Sequence, residues 1–328
     1  AIAEFLYAAY ALWAHLTAPG TILMTEKWAY ELALTGTFVN RGHYAFYAGM
    51  GLVVSFALAL RYAQRTGSGA FDSSARFFQS IETLKLPVFL MIANCIAIGT
   101  AILLTQSRGG LAFTTVALAA VVVMIVGGGG AGGGGRGRHR RSVALILGGL
   151  LTGGAVLFAM SGAGLVTRLA DGDGTSGGGR ADVYALTLDA ISAAPFVGHG
   201  AGTFPELFNL YRSAAFPAIS PVFTEAHNVY LEWAAEAGIV AAALYFAAIA
   251  AVGITCLAAT RRQAHHTVFP AVGAAALLLA GLHSLVDFGT QIPGAAVTLA
   301  ALAGIGYGRA LAGHGEQPGR KEAQSGLR

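Results

Sequence analysis

The chain has 328 residues, 55% hydrophobic and 11% charged, with a mean hydropathy of +0.63. A soluble globule carries about 25% charged residues, so the composition excludes a soluble enzyme and describes an integral membrane protein. The 46 glycines keep no three-residue period and are separated by long Leu/Ala/Val/Phe runs, which excludes a collagen and a disordered chain. Cys95 and Cys256 both lie in apolar runs, so no disulfide framework or cysteine-based metal site is available. The sequence opens on Ala1 with no basic, then apolar, leader before it, and the start reads as a truncation or a processed end.

A bilayer core of roughly 30 Å takes about 20 mostly apolar helical residues. The first stretch, Ala1 to Leu16, is too short and carries Glu4 and His15, which suits the tail of a helix or an interfacial helix. Seven windows almost free of charge then predict spans: Tyr44 to Leu60, Leu86 to Leu104, Gly109 to Val126, Ser142 to Met160, Ile239 to Ala259, Val268 to Val286 and Ile292 to Ala310. The expected organisation is an outer or interfacial segment over 1–43, four spans over 44–160, a large extracytoplasmic loop over 161–238, three spans over 239–310 and a cytoplasmic tail over 311–328.

Lys and Arg accumulate in cytoplasmic loops, and alternate loops differ sharply here. One side holds fourteen: Arg61, Arg65, Arg76, Lys85, the run Arg136 to Arg141, Arg261, Arg262, Arg309, Arg320, Lys321 and Arg328. The other holds six, Lys27, Arg41, Arg108, Arg168, Arg180 and Arg212, together with 12 of the 16 acidic residues. The amino-terminal segment and the 161–238 loop are therefore expected outside, and the net charge of +4 reflects orientation rather than nucleic-acid binding. The glycine run Gly127 to Gly135 lacks the Gly-Lys-Ser/Thr ending of a phosphate loop and reads as a linker followed by a basic membrane-surface anchor.

A loop as long as 161–238 is expected to fold and to carry function. Asp171 to Gly179 is turn-rich; Asp171 and Asp173 mimic an Asp-X-Asp metal motif but read as a solvated loop. Arg180 to Ile191 is helical, with Val183, Leu186 and Ala190 near one face, and Pro195 ends it. Gly198-His-Gly-Ala-Gly-Thr-Phe204 is a tight turn in which His199 reads as a local backbone-bonding residue. Thr224 to Glu236 reads as a helix running directly into the fifth span.

In order and spacing, Ser107-Arg108-Gly109-Gly110, Arg180, Pro195-Phe-Val-Gly-His-Gly-Ala-Gly-Thr-Phe204 and His227-Asn-Val-Tyr-Leu-Glu-Trp-Ala-Ala-Glu-Ala-Gly238 resemble the O-antigen ligase and polymerase family. Gly36-Thr-Phe-Val-Asn-Arg41 and His283-Ser-Leu-Val-Asp-Phe288 with Gln291-Ile-Pro293 are similar to its flanking segments. The resemblance runs from about Gly36 to Tyr307, and family members usually carry further amino-terminal spans. It implies an all-α polytopic membrane protein, GT-C-like, with about seven transmembrane helices here and one large extracytoplasmic loop. It also implies a bacterial inner-membrane glycosyltransferase, inverting and without metal or cofactor. Such an enzyme transfers a glycan from a polyprenyl-diphosphate-linked donor to a lipid-core, glycan or protein acceptor.

The residues suit that chemistry on their own terms. A departing diphosphate accumulates negative charge, and arginine binds phosphate through a planar fork that stays charged. Arg108 and Arg180 are the leading candidates, with Arg41 and Arg212 behind them. A histidine can take a hydroxyl proton near neutral pH, and His227 is the candidate, with Glu225, Glu232 or Glu236 as possible orienting groups. His283 and Asp287, four apart near the outer end of the sixth span, either face a cavity or fix helix packing.

Plainer roles compete: a snorkelling or capping Arg108, an Arg180 paired with Asp182 or Asp189, and a His227 that caps a helix. Trp28, Tyr30, Tyr44, Tyr47, Tyr211, Tyr230 and Trp233 could stack on sugars or anchor the membrane interface. A protein oligosaccharyltransferase of the same family and, from another class, a transporter remain as alternatives.

Overall fold

A computed structural model describes residues 2–65, 86–126, 136–160, 180–212, 223–262 and 267–312. Among them the only sheet is a two-residue antiparallel pair, β1 (Thr21–Ile22) with β2 (Thr25–Glu26). The long helices are α1 (Ile2–Thr17), α2 (Arg41–Arg65), α3 (Leu86–Leu104), α4 (Arg108–Ile125) and α5 (Arg136–Met160). Three shorter ones follow, α6 (Arg180–Ala193), α7 (Phe204–Tyr211) and α8 (Val229–Ala237), before α9 (Ile239–Arg262), α10 (Val268–His283) and α11 (Pro293–Ala312). The sequence features at Arg168, Asp171, Asp173, Gly127 to Gly135 and the tail from residue 313 lie outside the described residues.

All seven apolar windows fall on helices. Among the described residues, length and hydropathy qualify four of these to cross a membrane: Arg41–Tyr62, Arg108–Ile125, Ile239–Arg262 and Pro293–Ala312. Counted over described side chains alone, Phe89–Leu104 in α3, Val143–Leu157 in α5 and Val268–His283 are apolar stretches of 10–17 residues. The helix boundaries have local causes. Ser107 Oγ accepts the Gly110 N–H at 3.2 Å and starts α4, and Pro293 opens α11, where its missing N–H costs nothing. α10 stops at His283, short of the expected Val286, because Ser284 to Phe288 turn back into a 3-10 segment, Gly289–Gln291.

α10 is central. Its Ala271, Ala275, Ala276 and Leu279 are buried, and it packs against α2, α4, α9 and α11. Small side chains allow that close approach between helices. In the most apolar window of α2, 61% of residues are buried inside the protein, against 11% for α9, so α9 turns most of its apolar surface outward. The chain before α2 is tied to the end of α3 by Leu34 N–H to Leu104 C=O at 3.0 Å. Val229 N–H reaches Ser284 C=O at 2.9 Å, tying α8 to the end of α10. The starts of α2 and α4 and the ends of α3 and α10 thus share one end of the bundle with the α6–α8 unit.

That unit has small cores of its own, Val183, Leu186, Phe204, Phe208 and Ala226 in one and Ala190, Ile191, Leu207 and Ala235 in the other. The glycine turn clasps the end of α8: His199 and Gly200 N–H donate to Ala235 and Glu236 C=O at 3.0 and 2.8 Å. His199 Nε2 bonds Ala190 C=O at 2.8 Å, the local role expected of it. The expected continuous helix from Thr224 into α9 is corrected at both ends. It begins only at Val229, because His227 takes a left-handed φ of 53° and Asn228 caps the helix, accepting Tyr230 and Leu231 N–H at 3.1 Å each. It is separated from α9 by Gly238, whose φ of 85° and ψ of 157° only glycine adopts readily. A Cβ there would also collide with Phe196 C=O. Gly238→Ala is expected to destabilise the protein by about 2 kcal/mol or more, read as a fall in the thermal unfolding midpoint in detergent.

Candidate functional site

Arg41, Arg108 and Arg180 are the first residues of α2, α4 and α6. All three line one cavity of about 410 Å³, with Tyr30, Asn40, Gly42, Gln106, Ser107, Gly109, His283, Val286 and Asp287. Helix amino-termini present unsatisfied N–H groups and partial positive charge. Three such ends, each opened by a guanidinium, make a cavity suited to a polyanion. Local capping holds two of them: Asn40 Oδ1 accepts Gly42 N–H at 2.7 Å, and Ser107 caps α4. The Arg41 guanidinium also lies over the Tyr30 ring at 5.2 Å. Tyr30 and Gln106 hold left-handed φ values of 56° and 55°, and His227 holds 53°. Such conformations cost energy in non-glycine residues and gather at functional sites.

Asp287 connects this cavity to His227. The turn after α10 places it, with its N–H bonded to His283 C=O at 3.0 Å. Its Oδ1 accepts Phe288 N–H at 2.9 Å, and His227 Nδ1 and His43 Nε2 approach the same oxygen at ion-pair distances of 3.4 and 3.3 Å. Oδ2 packs against Gly42, where a Cβ would collide with it. Burial opposes ionisation of Asp287, but the contacts from His227 and His43 outweigh it and hold the carboxyl well below the usual carboxylate range.

His227 does not line the cavity; it meets it through Asp287. Its backbone is held from three sides. Tyr184 Oη donates toward its carbonyl at 3.1 Å, and Asn228 Nδ2 bonds Leu285 C=O at 3.1 Å. The preceding Ala226 N–H donates to Glu232 Oε2 at 2.7 Å. Glu232 is buried and also accepts Gln291 Nε2 at 2.8 Å; burial pushes its carboxyl up despite those two donors. Of the three glutamates, Glu232 therefore braces the His227 turn. Glu236 bonds Phe204 N–H at 3.1 Å, and Glu225 contacts Thr224.

The structure thus brings Arg41, Arg108, Arg180, His283 and Asp287 to one cavity, with His227 on its Asp287 edge. Arg212 is not in the lining; its guanidinium lies over Phe208 at 5.8 Å. His283 is 2% exposed, between Phe46 and Phe113. His43, Gly42, Asn40 and Gln106 were not singled out as site residues from the sequence. The polar run Asn40-Arg41-Gly42-His43 at the mouth of the first span was the signal for the first three. Among the described residues no group of three His, Cys, Asp or Glu side chains is arranged to hold a metal ion.

Residues 93–246 match the family model described as O-antigen ligase. No curated protein matches the chain. The matched stretch contains Arg108, Arg180 and His227, whereas Arg41, His43, His283 and Asp287 lie outside it and complete the same site.

Proposed function

We propose, with an O-antigen ligase domain over residues 93–246 as premise, that the chain is a membrane glycosyltransferase working outside the cytoplasm of a bacterial inner membrane. It takes a glycan from a polyprenyl diphosphate and joins it to an acceptor hydroxyl. The observation that carries this is the convergence of three arginine-opened helices on a cavity whose Asp287 also holds His227. In this proposal Arg108 and Arg180, assisted by Arg41, bind the diphosphate. Asp287 on Nδ1 orients His227 so that Nε2 takes the acceptor proton. The acceptor oxygen forms its bond to the anomeric carbon on the face opposite the diphosphate, which leaves with the bonding electron pair, so configuration inverts. The protein supplies positioning and fixed charge and needs no metal in this scheme. Arg212 takes no part in the donor cavity.

The test is incubation of the full chain with a polyprenyl-diphosphate-linked oligosaccharide and lipid-core, glycan and protein acceptors, with products identified by mass. A product on one acceptor names the subclass; substrate movement across vesicles with no glycan product would favour a transporter. Gly42→Ala is expected to lower transfer about tenfold or more, because the added methyl displaces the Asp287 carboxylate. The unfolding midpoint should be little changed. Wild-type rates in this variant would remove Asp287 from the proposal.

A further inference from the structure

We infer that His43 is a positioning residue for the transfer step, acting through Asp287 on His227; the inference rests on the function proposed above. His43 is the third residue of α2 and 5% exposed. A buried imidazole at a helix position that an apolar side chain could fill carries a desolvation cost, so its polar contact needs a reason. That contact is Asp287 Oδ1 at 3.3 Å, the oxygen that His227 Nδ1 also approaches at 3.4 Å.

The Phe288 ring stands against both imidazoles, with centroid distances of 4.4 Å to His43 and 5.0 Å to His227. The wedge keeps the two rings on one carboxylate. His43 comes from the first described long span, Asp287 from the turn after α10 and His227 from the outer unit, so the three join separate parts of the fold. Without His43, Oδ1 keeps the Phe288 N–H and the His227 contact, but the carboxylate loses the partner that fixes its rotation on the α2 side. His227 then loses its set orientation toward the acceptor. Donor binding is expected to be preserved, because neither His43 nor His227 is among the residues lining the arginine cavity.

The expected signature is therefore a fall in kcat with donor KM preserved. Full chain in detergent or nanodiscs would be assayed as His43→Leu, His43→Asn and His43→Gln, beside His227→Ala and Asp287→Asn. A glutamine amide nitrogen reaches the position of imidazole Nε2; an asparagine amide stops at that of Nδ1. His43→Leu and His43→Asn are expected to lose about tenfold or more in kcat with donor KM within about twofold. His43→Gln should return to within about threefold of wild type. In an Asp287→Asn background, His43→Leu should add little further loss, because coupled residues are not additive. Should His43→Leu fail to fold, the glutamine and asparagine pair carries the test.

Wild-type kcat in His43→Asn, equal loss in the asparagine and glutamine variants, or a loss confined to KM would overturn the inference. Loss of transfer in His227→Ala and Asp287→Asn beside such a result overturns the His43 role alone. Retention of transfer in those two variants overturns the site proposal and the His43 role with it.

Discussion

Asp287→Asn is expected to lower glycan transfer about 10²- to 10⁴-fold, the range associated with losing an oriented acid–base group. The carboxylate oxygen Oδ1 is the shared anchor of His227 and His43, and Phe288 N–H holds it in place. An asparagine of the same shape either presents an amide donor to His227 Nδ1 or offers a weaker neutral acceptor. The first outcome stabilises the tautomer with the proton on Nε2, which cannot act as a base; the second holds the ring loosely. His227→Ala should fall by a similar amount, and the double variant by scarcely more, because the two residues act as one unit. Contacts from the two histidines hold Asp287 below the ordinary carboxylate range despite burial, so it stays ionised well into acid. Asp287 itself is accordingly expected to add no ionisation to the wild-type rate profile near neutral pH. Steady-state transfer rates across a pH series check this, with unfolding midpoints measured alongside.

Arg108→Ala and Arg180→Ala are each expected to reduce transfer by about 10² to 10³, the usual effect of removing one fixed donor from developing charge. Both arginines line the cavity and are the first residues of their helices. Part of each loss should appear in donor KM, because the ground-state diphosphate is already charged. The rest should appear in kcat, because charge grows as the glycosidic bond breaks. Lysine should restore little, since a point charge cannot reproduce bidentate contact. Arg180 is exposed, so its replacement should leave stability nearly unchanged.

The helices were legible because apolar windows in a chain with 11% charge stand out wherever they fall. Exact helix ends were not. α10 reads as an apolar window to Val286 yet its helix ends at His283, and hydropathy does not register the turn that follows. Arg41, Arg108 and Arg180 stood out as candidate cations, and Arg180 as the start of a helix; that Arg41 and Arg108 also open helices depends on the caps Asn40 and Ser107 rather than on periodicity. His227 stood out as a candidate by chemistry and spacing, and the structure sets it against Asp287. The left-handed backbone of His227 was not legible, and the reading of one unbroken helix from Thr224 overlooked both Asn228 as a cap and Gly238 as a break. His43 escaped notice because its partner Asp287 is distant in sequence, and only folding brings them to one oxygen.

The central claim, that the arginines hold the donor while His227 turns it over, is tested most directly by equilibrium binding of a polyprenyl-diphosphate-linked glycan to two full-length variants. His227→Ala is expected to bind the donor within about threefold of wild type while transferring at least about 100-fold more slowly. Arg108→Ala/Arg180→Ala is expected to bind about 100-fold more weakly. Wild-type donor affinity in the double arginine variant, or an equal loss of affinity in His227→Ala, would contradict the account.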